Sequence, residues 1–355
     1  MAKTTVGLKI GSTSIKFVEL VHLRDGCKLR KIGVEEFPLS EKTQGYLNNV
    51  NFIAEKLKEI ITTHKINSHK IVSGVEGESV VVRIIRVPQM KDSELRRAIR
   101  WEAEEQIPYP MDDVSLGYHI LKKNLLGARG REVAVLIVGV KKQSIDEHLN
   151  IFQQIGLTPA IVDVNSLALY NIVKNSSIEI SEGTALLNIG HRVTNLVITA
   201  EDFPFMVRDI NFGGENITQN LMRRWGISYV EAEKLKKTRG MIRFDLETAS
   251  IEEKEMSRII TDSLEELIKE IVHSFEYFAS NRKGALVQKV ILSGGCSLIK
   301  NLDKFLSQEL EIPVQKINPF SNVSYSRDKF AQFLPSLVPL FAVPAGLALR
   351  EISWT

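Results

Sequence analysis

The chain has 355 residues, of which 44% are hydrophobic and 25% charged, with Gly 22 and Pro 11. This composition excludes a fibrous or disordered chain, and the length allows about two domains around a large core. A net charge of +3 is too small to argue for nucleic acid or anionic lipid, and two cysteines, Cys27 and Cys296, exclude a disulfide framework and fit a reducing, cytosolic compartment.

The first twenty residues carry Lys3, Lys9, Lys16 and Glu19 among apolar positions, so they hold no signal-peptide core. Residues 5–10 read as a strand ending at Gly11, residues 15–20 as a second and 28–37 as a third. Residues 52–64 have helical apolar spacing, and the β-branched run 80–87 is a strand ended by Pro88. A helix capped by Asp92 follows, ended by Pro108 and Pro110, then strands at 115–122 and 132–140 joined by a hairpin, then a helix at 143–155. Residues 76–156 therefore read as a compact α+β unit set into a larger frame.

A short strand at 159–164 leads to a helix from Ser166, and 185–199 is again strand, glycine turn, strand. Helices are expected at 215–225 and 229–238, and a long one from Ser263, with Glu266 completing a capping box. The run 252–255 reads as a solvated helix face. A buried strand at 287–292 enters Gly294 and Gly295, and a helix is expected from Ser297 through Leu310. The apolar stretch 333–349 carries Pro335, Pro339 and Pro344 and falls short of the roughly 20 residues of a membrane span, so it reads as buried structure.

Residues 6–20 and 185–199 resemble each other, with Gly11 and Gly190 half the chain apart, which suggests a duplicated domain. Glycine lets backbone approach an anion closely, and successive N–H groups of such a turn can point at a phosphate. Ser12, Thr13, Thr194 and Lys16 add side-chain donors. Two such turns facing one another would clamp a polyphosphate, whereas an ordinary hairpin turn would serve structure alone. The string Gly294, Gly295, Cys296, Ser297 is a third element, where glycine lets an adenine base lie flat on the backbone.

In order and spacing these three elements resemble the actin-like ATPase superfamily: 11–16 its first phosphate loop, 190–194 its second and 294–297 its adenosine loop. The unit 76–156 is similar to the FtsA-type subdomain. A closer resemblance, over essentially the whole chain, is to the PilM family of type IV pilus assembly proteins. It rests on Arg86, Val87 and Pro88; Glu94 and Leu95; Glu102 to Glu104; Ile107 and Pro108; Tyr118; and Gly156, Leu157 and Pro159 before Asp163 and Val164. Arg208, Asp209 and Ile210, Gly213 and Gly214, Thr218, the string 232–236 and the string 345–350 complete it.

The resemblance implies an α/β, duplicated actin-like (ribonuclease-H-like) fold with an inserted FtsA-type α+β subdomain. Residues 1–75 plus 157–182 would form the first half, 76–156 the insertion and 183–355 the second half. It implies a cytoplasmic nucleotide-binding scaffold of the pilus inner-membrane platform, peripheral to the membrane through its partner. That partner would be a PilN-like bitopic membrane protein, whose cytoplasmic N-terminal peptide sits in a groove near the insertion; pilus motor ATPases are further candidate partners. ATP or ADP would lie with its phosphates on Lys9, Gly11, Ser12, Thr13, Lys16, Asn188, Gly190 and Thr194. Gly213, Gly214, Glu233, Lys236, Gly294, Gly295 and Ser297 would meet ribose and adenine.

Two positions depart from the superfamily. Lys9 and Asn188 stand where each phosphate loop normally begins with Asp, and those carboxylates usually hold the hydration shell of a nucleotide-bound Mg²⁺. An ammonium repels that ion, which argues against hydrolysis; no catalytic or metal-ligating residue is assigned, and the need for Mg²⁺ stays open. Lys9 either contacts phosphate as a fixed cation or pairs with a carboxylate of the cleft. Glu233 and Lys236, three apart on one helical face, read equally as a surface ion pair. The alternatives within the superfamily are a Mg-dependent ATPase or small-molecule kinase, and an FtsA-like filament former, against which the absence of an amphipathic helix at 350–355 counts. Elsewhere the seven histidines form no metal motif, there is no Gly-x-Ser-x-Gly elbow or Walker A loop, and Cys296 reads as packing. Lys122, Lys123, Arg129, Arg131, Lys141 and Lys142 read as solvated basic surface.

Overall fold

The computed structural model describes residues 3–38, 49–66, 70–127, 130–176, 181–200, 203–245, 247–282, 284–326, 328–333 and 336–350. The chain opens with β1 (Lys3–Ile10), β2 (Ser14–Leu23), β3 (Gly26–Glu36), α1 (Val50–Thr63), β4 (Ile71–Val75), β5 (Val80–Pro88) and α2 (Asp92–Gln106). Next come β6 (Val114–Gly127), β7 (Gly130–Lys141), α3 (Lys142–Gln153), β8 (Ile161–Val164), α4 (Asn165–Lys174), β9 (Thr184–Ile189), β10 (Thr194–Ala200) and β11 (Phe203–Ile210). The remainder is α5 (Gly214–Trp225), α6 (Tyr229–Arg239), α7 (Ile251–Asn281), β12 (Lys289–Ser293), α8 (Leu302–Glu309), β13 (Val314–Lys316), β14 (Val323–Ser324) and α9 (Ala342–Ala348).

The duplication is written in the strand order. The first sheet runs β14-β3-β2-β1-β4-β8 and the second β11-β10-β9-β12-β13. Apart from β14, which adds in parallel to β3, each has three consecutive antiparallel strands followed by two parallel ones, with the first strand of its repeat in the middle. The central strands β1, from Thr5 onward, and β9 are buried along their length, as expected where helices cover both faces of a sheet. A separate three-stranded antiparallel sheet, β5-β7-β6, packs its Val81, Ile85, Val135 and Ile137 on Leu95, Ile99 and Ala103 of α2.

Tertiary packing redraws some limits expected from sequence. Helix α7 begins after Ser250, whose side chain and that of Glu253 form a capping box. Ser263 is buried inside that helix, where its hydroxyl donates to the Ile259 carbonyl at 2.6 Å. Both serines carry a glutamate three residues on, so spacing alone does not choose between them. The run 252–255 is its largely exposed first turn. Helix α2 starts at Asp92 with Lys91 in the N-cap position. The helix expected over 297–310 is instead a 3₁₀ turn, Gly295–Leu298, and α8, broken where Asn301 takes φ 66.

The C-terminal part returns to the first sheet. Strand β14 pairs with β3, and α9 lies buried between β1 and α4. The fit requires glycine: a Cβ on Gly346 would stand 1.8 Å from the Ala168 carbonyl oxygen, and one on Gly7 would stand 1.9 Å from that of Pro344. Strand β14 and α9 thus pack with the first half although they follow the second in sequence. Likewise Ile151 and Phe152 of α3 sit in the core formed by Val6, Leu8 and Leu57. Among the described residues no helix is long and apolar enough to cross a membrane. Arg129 and residues 351–355 lie outside the described residues.

Candidate functional site

Two concave regions stand out. The larger is a cleft of about 820 Å³ between the two halves, at the strand ends where open α/β sheets place their ligands. The turns after β1 and β9 face it. Each is closed alike: Gly11 N–H donates to the Ser14 carbonyl at 3.0 Å, and Gly190 N–H to the Val193 carbonyl at 3.0 Å.

Of the residues picked out by sequence, Lys9, Gly11, Ser12, Thr13, Lys16, Asn188, Gly190, Gly214, Glu233, Lys236, Gly294 and Gly295 line this cleft. Thr194, Gly213 and Ser297 do not. The Thr194 hydroxyl is buried and donates to the Phe212 carbonyl, and Ser297 donates to the Gly294 carbonyl. Gly213 sits under the second turn, where a Cβ would meet the His191 carbonyl at 2.4 Å. The first N–H groups of α5 are used by that turn, Gly214 donating to Gly190 O and Glu215 to His191 O. Gly294, at φ +90, adopts a conformation natural to glycine, and the space over Gly295 is open to 3.9 Å.

Lys9 forms an ion pair with Glu76 at 3.0 Å, their side chains 10% and 22% exposed. Burial opposes ionisation of Glu76, but the Lys9 ammonium and hydrogen bonds to the carboxylate together outweigh it and hold the carboxyl below its ordinary range. Lys16 stands directly opposite Lys9 across β1 and β2, and its ammonium donates to Ser14 Oγ at 2.7 Å. Burial first, then Lys9, lowers Lys16 to about 8, against the pull of Glu36 and Glu76.

The opposite wall holds a second lysine–glutamate pair. Lys236 donates to Glu233 at 2.6 Å, to Thr218 Oγ1 at 2.7 Å and to the Gly214 carbonyl at 2.7 Å, which uses all three N–H groups. Thr218 also donates to Glu233, at 2.6 Å. Burial pushes Glu233 upward, but Lys236 and these hydrogen bonds prevail and hold it at about 2. The pair, read from sequence either as a ribose and adenine contact or as a surface ion pair, is buried, and Lys236 has no N–H left for a ligand. Cys296 is buried beside it, donating to the Gly190 carbonyl, and burial raises the thiol to about 11, which fits the packing reading.

Sequence reasoning missed a polar network that meets the cleft at Gly77 and Asn188. Asp209 on β11 accepts from Gly77 N–H at 2.7 Å, Ser166 at 2.8 Å and Asn195 at 2.8 Å. Asn188 donates to Asn195 Oδ1 at 2.8 Å and accepts from Ser293 at 3.3 Å. This chain of neutral donors ties the end of β4 to β9, β10, β11 and β12. Glu78 and Asn211 add a hydrogen bond, and Lys237 and Glu36 an ion pair at 2.7 Å, across the same gap. The signal for Glu76 was its place after β4, a parallel neighbour of β1, at the end where ligands bind.

The donor set fits a nucleotide better than a metal ion. Ser12 and Thr13 stand beside two ammonium groups, and open backbone at Gly295 leaves room for a base. Among the described residues no group of three or more His, Cys, Asp or Glu side chains is placed to hold a metal ion. Asn188, at the second departure, has both amide ends engaged.

The second concavity is a groove of about 670 Å³ between the three-stranded sheet and the first sheet. Strands β6 and β8, each the edge of its sheet, line it. Leu136, Val138, Leu167 and Tyr170 supply an apolar floor, and Tyr118 is 44% exposed. Asp163 at its rim pairs with Arg350 at 3.3 Å.

Two sheets of one strand order, meeting at a cleft with matched glycine turns, define an actin-like protein. Solved structures of the same fold include the ethanolamine utilization protein EutJ from Carboxydothermus hydrogenoformans, with TM-score 0.53 and 13% identity over 99% of this chain and 91% of that one. A chain of the MamK double helical filament matches at TM-score 0.52 and 12% identity, covering 98% of both. A chain of a PilM–PilN type IV pilus biogenesis complex is 26% identical, with TM-score 0.81 over 98% of each chain. The family model for type IV pilus assembly protein PilM matches residues 7–352, and the chain belongs to that family.

Proposed function

We propose that this protein is a nucleotide-binding scaffold of the type IV pilus inner-membrane platform that receives the cytoplasmic N-terminal peptide of a PilN-like membrane protein. The observation that carries the reading is the groove between β6 and β8. Two sheet edges there present unpaired backbone, and an extended peptide adds to such an edge through main-chain hydrogen bonds while pockets select its side chains. At Gly117 on β6 a Cβ would meet nothing within 4 Å, so the face of that strand is open there. Tyr118, Asp163, Val164 and Arg350, which belong to the strings that carry the family resemblance, all line this groove. The protein reaches the membrane through its partner. The cleft between the halves takes ATP or ADP, and with Lys9 and Asn188 in place of carboxylates it holds the nucleotide without turning it over.

The test is calorimetry with the full chain and a synthetic N-terminal peptide of its PilN-like partner. Saturable binding that weakens at least tenfold in Tyr118→Ala, with unchanged thermal stability, is expected. Full affinity in that variant and in Leu116→Asp would place the peptide elsewhere. Phosphate release above background from ATP and Mg²⁺, lost in Lys16→Met, would favour the ATPase alternative.

A further inference from the structure

We propose that the cleft binds the polyphosphate of a nucleotide without a divalent cation, Lys9 and Lys16 supplying the positive charge that a metal ion would otherwise carry. The inference rests on the nucleotide reading above and concerns how that ligand is neutralised.

Lys9 and Lys16 are direct partners across an antiparallel pair of strands. Like charges so placed repel, and their side chains share one face of the sheet. Here that face borders the cleft beside Ser12 and Thr13, so the fold concentrates positive charge at the turn. Among the described residues only Glu76 lies within bonding distance to offset it, through Lys9. Each ammonium has three N–H donors, and one from each is used, by Glu76 and by Ser14. The remaining four are left on two lysines that line the cleft beside the turn. Lys236 on the far wall, with every donor used, shows what a purely structural lysine looks like in the same cleft.

Among the described residues no three carboxylates gather to hold a metal ion, and Glu76 is paired with Lys9. Glu36, Glu78, Glu147, Glu215 and Glu233 line the cleft, and each is hydrogen-bonded or ion-paired to a neighbour. Mg²⁺ wants anionic oxygen and retained water, and beside the first turn it would meet two ammonium groups. Phosphate oxygens accept well from such point charges.

The experiment is titration of ATP into the full chain by calorimetry, in EDTA and in millimolar Mg²⁺. Dissociation constants within threefold of each other are expected. Glu76→Gln, which removes the competing carboxylate, should tighten binding severalfold in EDTA, and Lys9→Met should weaken it about tenfold. Lys9→Asp should bind only when Mg²⁺ is present. Wild-type binding that requires Mg²⁺, or Glu76→Gln weakening the Mg²⁺ complex as loss of a metal contact would, overturns the inference and leaves the nucleotide reading standing. No wild-type binding in either condition overturns the nucleotide reading itself. Each variant is first compared with wild type by thermal unfolding, and the two-condition comparison on wild type needs no variant to fold.

Discussion

The cleft has a lysine–glutamate pair on each wall, and they are built for different ends. Lys236 and Glu233 lie three residues apart on α6, 7% and 2% exposed, with every lysine donor used. Lys9 and Glu76 come from separate strand ends, 10% and 22% exposed, with lysine donors to spare. The first arrangement fixes α6 against α5 and is closed to ligands. The second is half open and can exchange a partner. An ion pair is therefore structural or functional according to how completely its hydrogen bonds are satisfied, and not merely by being buried.

The largest effect should come from breaking the closed pair. Glu233→Ala leaves the Lys236 ammonium buried against a carbonyl and a hydroxyl, and should cost about 3–5 kcal/mol by denaturant unfolding. In the Asp209 network, Asn188→Asp sets a carboxylate against Asn195 Oδ1 and should cost about 1–3 kcal/mol in the same assay. The open pair should be less sensitive: Lys9→Met should cost about 1–3 kcal/mol, because Glu76 is left partly exposed. A Lys9→Met loss equal to that of Glu233→Ala would erase the distinction between the walls.

The smallest effect sharpens the open wall by pH. Lys9 on β1, Glu36 on β3, Glu76 after β4 and Lys237 on α6 all face Lys16, whose pKa lies at about 8 against 10.5 for an ordinary lysine. Between those values the unfolded chain holds the proton that the folded one has lost, so Lys16 contributes stability that rises with pH across that window. Nucleotide affinity should run the other way. It should fall above pH 8, approaching a tenfold loss per pH unit, with proton uptake on binding seen by calorimetry in buffers of different ionisation enthalpy. A flat profile from pH 7 to 9 would remove Lys16 from the phosphate site.

Much of this was legible locally. The two repeats, their glycine turns and the glycine pair after β12 are short-range patterns, and all three reach the cleft. Thr194 and Ser297 were misread because a hydroxyl in a phosphate-type turn looks the same in sequence whether it faces ligand or donates to a carbonyl beneath. Glu233 and Lys236 were read as equally fit for a surface, since i,i+3 spacing does not reveal that α5 covers that face.

The sequence by itself determined the duplication, the family and the two departures at Lys9 and Asn188, because these depend on residue identity and near spacing. Only the tertiary structure decided that Lys9 meets Glu76, 67 residues away, that Asp209 gathers donors from both halves, that α9 returns to seal the first sheet, and that β6 and β8 leave two free edges around one groove. Those features arise from strand order and long-range packing. A strand's edge position and a side chain's distant partner are properties of the assembled sheet, and no local pattern encodes them.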